Sequence, residues 1–91
     1  MQFMASISLD LARRAEIERL LPAESARVRE LQQQHVMDAL YVPETNGAPG
    51  TLWAIFRGSS REAVEDALES LPLYPYMRVE LTPLRSLEAR S

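Results

Sequence analysis

Seven consecutive residues, Leu71-Pro72-Leu73-Tyr74-Pro75-Tyr76-Met77, constrain the fold more than any other stretch. Proline cannot continue a helix and drives the residue before it toward extended geometry. The chain must therefore leave a helix at Leu71, turn through an aromatic elbow, and enter a strand at Tyr76 or Met77. The elbow has no glycine and is largely apolar, unlike a solvated loop, so it packs against something.

The stretches that precede it alternate cleanly between periods. From Gln2 to Leu9, Phe3, Ala5, Ile7 and Leu9 alternate with Met4, Ser6 and Ser8, the period-two pattern of a half-buried strand. Asp10 is placed to cap a helix starting at Leu11. Leu11 to His35 holds good helix formers and no glycine, with Ile17, Leu20, Leu21, Val28 and Leu31 at helical spacing. Pro22 interrupts this run, so the spacing predicts a kinked helix or one that restarts with Pro22 in its first turn.

Val36 to Val42 reads as a second strand and Thr51 to Arg57 as a third. Asn46-Gly47 and Pro49-Gly50 supply turn signals between them, which predicts an antiparallel hairpin. Ser59 with Glu62 fits a capping box opening a second helix. Its apolar stripe is Ala63, Val64, Ala67, Leu68 and Leu71. After the elbow, Met77, Val79 and Leu81 alternate with Arg78, Glu80 and Thr82 in a fourth strand ending at Pro83.

The order β-α-β-β-α-β is the ferredoxin-like split βαβ arrangement of an α+β domain. It predicts a four-stranded antiparallel sheet with both helices on one face, formed by residues 1–83, and a short tail at 84–91. Leu84 and Leu87 are its docking points. Both parities of the third strand are apolar: Leu52, Ala54 and Phe56 on one, Trp53 and Ile55 on the other. A second copy packed sheet to sheet is the expected cover.

Composition narrows the function. A chain of 91 residues with 46% hydrophobic and 25% charged content is an ordinary single globular domain. A net charge of -3 without a basic patch argues against nucleic-acid binding. There is no cysteine, which excludes disulfides, thiolate metal sites and cysteine nucleophiles, and every basic residue is arginine, which excludes a lysine Schiff base. No apolar run reaches transmembrane length, so no membrane partner is expected. Met1 to Leu9 is too short and too polar for a signal peptide, and the expected location is cytoplasmic.

Chemistry has few candidates. Glu24 shares its helical line with Leu20, Leu21, Val28 and Leu31, and so faces the sheet. A carboxylate there is costly unless partnered or bordering a cavity, and the raised pKa of a buried carboxyl suits a general base or acid. The alternative places Glu24 in the first turn of a helix restarted at Pro22, stabilised by the helix dipole. His35 points nearly the same way about 16 Å farther along; at the helix C-terminus its simpler role is capping. Asp38 and Tyr41 fall on opposite faces of a regular strand. Tyr41, Trp53, Tyr74 and Tyr76 line a cavity or fill the core. A tyrosine hydroxyl beside a cavity can polarise a carbonyl or lactone oxygen. No phosphate-cradling glycine motif, nucleophile elbow or metal-spaced cluster is present.

The elbow, together with Val79-Glu80-Leu81-Thr82-Pro83-Leu84, resembles the C-terminal signature of the muconolactone isomerase family. Those proteins carry a leucine-proline-leucine-aromatic-proline-aromatic-methionine segment. Glu24 falls where the family has a glutamate early in its first helix, Leu40-Tyr41 where it has leucine-tryptophan, and Asn46 to Gly50 near its glycine-containing loop. The resemblance implies a dimeric α+β barrel, with two ferredoxin-like subunits sheet to sheet, and allows a decamer as the larger assembly. It implies a double-bond shift in an unsaturated lactone by proton transfer, with no metal or organic cofactor.

The chain departs from that pattern at named positions. Leu21 stands where members usually have a lysine, His35 where they have a glycine, and Asp38, Ala39 and Val42 where they have arginine, histidine and arginine. The expected activity is therefore broader. It is a proton-transfer isomerase or cyclase acting on a small unsaturated lactone or polyketide-like carbonyl compound. Glu24 is its base or acid, Tyr41, His35 and Asp38 assist, and Trp53, Tyr74 and Tyr76 form the pocket. The alternative is a non-catalytic ligand-binding or assembly module that kept the barrel and lost the site.

Overall fold

A computed structural model of the chain describes residues 1–44 and 49–87. Strand β1 (Gln2–Leu9) leads through a short 3₁₀ turn, Leu11–Arg13, into helix α1 (Arg14–Gln33). Strands β2 (Met37–Tyr41) and β3 (Thr51–Arg57), helix α2 (Arg61–Glu69) and strand β4 (Met77–Leu84) come next. The sheet order is β2-β3-β1-β4, and all neighbours are antiparallel. This is the ferredoxin-like βαββαβ arrangement expected from the pattern of periods.

The register sorts the two faces. Phe3 pairs with Phe56 and Pro83, Ala5 with Ala54 and Leu81, Ile7 with Leu52 and Val79. Apart from the exposed Pro83, these residues meet Leu31 of α1 and Val64, Ala67 and Leu68 of α2 in one core. Such burial contributes roughly 1.5–3 kcal/mol for each fully buried large apolar side chain. The other parity, Met4, Ser6, Trp53 and Ile55, forms a face that no helix among the described residues covers.

Two helix readings are narrowed or corrected. Pro22 lies inside a single α1, so of the two alternatives for this run the restart is excluded. Pro22 and Glu18, whose carbonyl loses its partner, are both exposed, so water can satisfy that carbonyl. Glu24 is consequently mid-helix, outside the reach of a first-turn dipole. The second correction concerns α2: its cap is Ser60, whose hydroxyl accepts from the Ala63 N–H at 3.1 Å. With Ser60 as the cap, the third helical residue is Ala63 and no capping box forms.

The first helix ends in a Schellman closure. The His35 N–H donates to the Gln32 carbonyl at 3.1 Å and the Val36 N–H to the Leu31 carbonyl at 2.9 Å. His35 takes φ 60°, the left-handed conformation this closure requires and that glycine adopts most easily. Strand β4 runs one residue past Pro83, which is tolerated because β4 is an edge strand. Leu84 and Leu87 are both exposed, Leu87 at 85%. The Asn46-Gly47 turn signal and Glu88 to Ser91 lie outside the described residues. Among the described residues no helix is long and apolar enough to cross a membrane.

Candidate active site

The elbow is a pair of tight turns. The Tyr74 N–H donates to the Leu71 carbonyl and the Tyr76 N–H to the Leu73 carbonyl, both at 2.9 Å. Its two prolines leave five N–H groups among its seven residues. Leu71, Tyr74, Tyr76 and Met77 donate to backbone carbonyls within the helix end and the turns. The fifth, on Leu73, is buried, and its partner is the Glu24 Oε1 at 2.9 Å. An unpaired buried N–H would cost about 1–3 kcal/mol, so this bond ties the middle of α1 to the elbow.

Glu24 is 9% exposed, the one buried charged residue among those described. Oε1 is anchored on Leu73, Oε2 accepts no bond from a described residue, and Glu24 lines the adjoining cleft. That cleft, of about 400 Å³, lies between α1 and the sheet and is closed at one end by the elbow. Its walls are mainly apolar, with Leu9, Leu40, Leu52, Leu73 and Met77 prominent. Burial among these groups pushes the Glu24 carboxyl above its ordinary value, and the Leu73 N–H only partly offsets the rise. No arginine forms an ion pair with Glu24 among the described residues.

The other candidates are dispersed. His35 is exposed at the end of α1, where its backbone closes the helix. Asp38 sits at a bulge, where Met37 and Ala39 face adjacent residues of β3. It accepts from the Arg57 Nη2 at 3.0 Å, the Arg57 Nε at 3.1 Å and the Gln2 Nε2 at 3.3 Å. Partial desolvation opposes its charge, but Gln2 and Arg57 outweigh this and hold its carboxyl below the ordinary value. The bulge also overturns the parity of a regular strand. Asp38 bonds to residues of the open face, and Tyr41, 58% exposed, pairs there with Trp53.

The structure therefore does not bring Tyr41 and Trp53 to the Glu24 cleft; they stand on the opposite side of the sheet. Tyr74 lies beside Leu68 and Val79, in a different depression. Tyr76 packs under the Arg13 guanidinium, 5.6 Å from the ring centre. Polar residues that do line the cleft are Ser25, Arg29 and Gln32. Helical arithmetic from Glu24 reaches them, since Gln32 lies eight residues on and Arg29 comes directly after Val28. Their exposed side chains, however, give no apolar signal in the sequence. Among the described residues no three acidic or histidine side chains are grouped to hold a metal ion.

The crystal structure of muconolactone isomerase is similar to this chain over 99% of its length and 98% of the isomerase chain, with a TM-score of 0.77 and 25% sequence identity. No curated protein sequence matches significantly. The sequence profile of muconolactone delta-isomerase matches residues 1–89. With a βαββαβ fold similar to that crystal structure and a family match across nearly its whole length, the chain belongs to the muconolactone delta-isomerase family.

Proposed function

We propose that the protein is a cofactor-independent isomerase or cyclase that moves a proton on an unsaturated lactone or related carbonyl compound, with Glu24 as the proton carrier. One observation carries this reading: a buried carboxyl, one oxygen anchored and the other without a described partner, on the wall of an apolar cleft large enough for a small ligand. Anchoring Oε1 fixes the orientation of the carboxyl, and the burial that raises its pKa makes the carboxylate a stronger base than one in water.

The steps derive from that geometry. Glu24 removes a proton from the carbon between the carbonyl and the double bond of the substrate. The electron pair delocalises into a dienolate, with negative charge on the carbonyl oxygen. Arg29 and Gln32, on the cleft wall, carry the N–H donors that can meet that charge. Glu24 then returns the proton to the far carbon of the dienolate. The double bond becomes conjugated with the carbonyl, and the carboxylate is regenerated.

The test is turnover of an unconjugated unsaturated γ-lactone, monitored by the ultraviolet absorbance of the conjugated product. Glu24→Gln keeps an oxygen for the Leu73 N–H and removes the proton carrier. It should lower kcat by about 10²–10⁴ with the fold intact. Full activity in that variant would refute the assignment.

A further inference from the structure

The Glu24 cleft has a neighbour. A second groove of about 590 Å³ runs along the N-terminal half of α1, walled by Leu11, Ile17, Val42 and Gly50. The two cavities share three wall residues, Leu9, Leu21 and Leu52. Leu21 sits between them on α1, exposed at 44%, a leucine that covers neither core nor described partner. From Glu24 to Ile17 is seven residues, about 10 Å along the helix.

We infer that the two cavities form one elongated apolar slot, and that the substrate is correspondingly long: a carbonyl head at Glu24 and an uncharged apolar tail passing Leu21 into the second groove. This rests on the proposed role of Glu24 for the position of the head. The charge lining agrees with a neutral tail. The second groove carries one arginine and one glutamate, Arg14 and Glu18, whose formal charges cancel, and the rest of its wall is chiefly apolar. A short ligand would fill the cleft and leave the larger cavity, and the exposed Leu21, in water.

Calorimetric titration with γ-butyrolactone, γ-octalactone and γ-dodecalactone tests the inference without requiring turnover. Each methylene buried in the slot should tighten binding about fourfold, the change that corresponds to roughly 0.8 kcal/mol. Val42→Asp, at an exposed position that lines only the second groove, and Leu21→Trp, which narrows the shared passage, should each flatten this dependence on tail length. Glu24→Gln should retain the dependence while losing turnover, which separates failure of the slot from failure of the proton carrier. Affinity independent of tail length, an unchanged dependence in both groove variants, or absence of binding by every lactone would overturn the inference. A second copy of the chain filling the groove would give the first of these results.

Discussion

Replacing Glu24 by glutamine and by alanine separates its structural bond from its charge. Glutamine can still accept the Leu73 N–H, whereas alanine leaves that buried donor to whatever water the cleft admits. Loss of such a partner costs about 1–3 kcal/mol. At roughly 4–8 °C per kcal/mol for a domain of this size, Glu24→Ala should melt well below Glu24→Gln. The charge acts in the opposite direction. Burial raises the folded-state pKa of Glu24, so the folded protein binds more protons than the unfolded chain between the ordinary carboxyl value of 4.5 and the raised one. Stability contributed by this group is then greatest below 4.5 and falls as pH climbs through the raised value. Glu24→Gln should match or exceed the parent in stability at neutral pH and lack that decline. Differential scanning calorimetry from pH 4.5 to 8 (roughly the window of carboxyl and neutral-pH behaviour) measures both effects. Equal melting temperatures for the two variants, or an unchanged pH slope in Glu24→Gln, would refute the account of this residue.

Three further outcomes rest on other residues. His35→Gly removes a side chain from a left-handed position that costs a non-glycine residue about 1–2 kcal/mol, partly offset by the chain entropy of glycine. A net gain of roughly 0.5–1 kcal/mol is expected in urea unfolding, and a loss would mean that the imidazole itself supports the helix end. The Asp38–Arg57 pair is largely exposed on the arginine side, so Arg57→Met should cost no more than about 1 kcal/mol and less in high salt. Because Asp38 has a depressed folded-state pKa, its contribution is present above its ordinary value of 3.8 and fades as pH falls through the lower folded value, a window separate from that of Glu24. Finally, Met4, Tyr41, Trp53 and Ile55 leave an apolar sheet face that no helix among the described residues covers. If two copies pack there, Trp53→Glu should halve the mass measured by light scattering, and an unchanged mass would place the subunit contact elsewhere.

Much of this architecture is legible in the residues themselves. Strands β1 and β3 arise from period-two alternation and β-prone composition, and their predicted limits coincide with those observed. The elbow marks the end of α2 and the start of β4, because two prolines leave little conformational choice. Local signals fail where two solutions are equally available to the chain. Ser59 and Ser60 are both competent caps, and only the path of the chain selects Ser60. Pro22 reads as an interruption, yet a long helix docked on a sheet accommodates one missing bond on its exposed side. The bulge at Asp38 has no glycine to announce it.

The same contrast holds for the site. The inward direction of Glu24 is set by its spacing to Leu20, Leu21, Val28 and Leu31. Its partner is not, because the Leu73 N–H is a backbone donor that every non-proline residue possesses. The faces of Tyr41 and Trp53 are equally hidden from the sequence. Both parities of β3 are apolar, so composition alone cannot tell which one meets the helices.

The most direct test of the central claim is deuterium exchange into an unconjugated unsaturated γ-lactone in D₂O, monitored by proton NMR. It reads the proton transfer itself, whether or not the double bond then moves. The parent protein should accelerate exchange at the carbon between carbonyl and double bond, and Glu24→Gln should lose that acceleration by about 10²-fold or more. Exchange at the parental rate in folded Glu24→Gln would contradict the claim that Glu24 carries the proton.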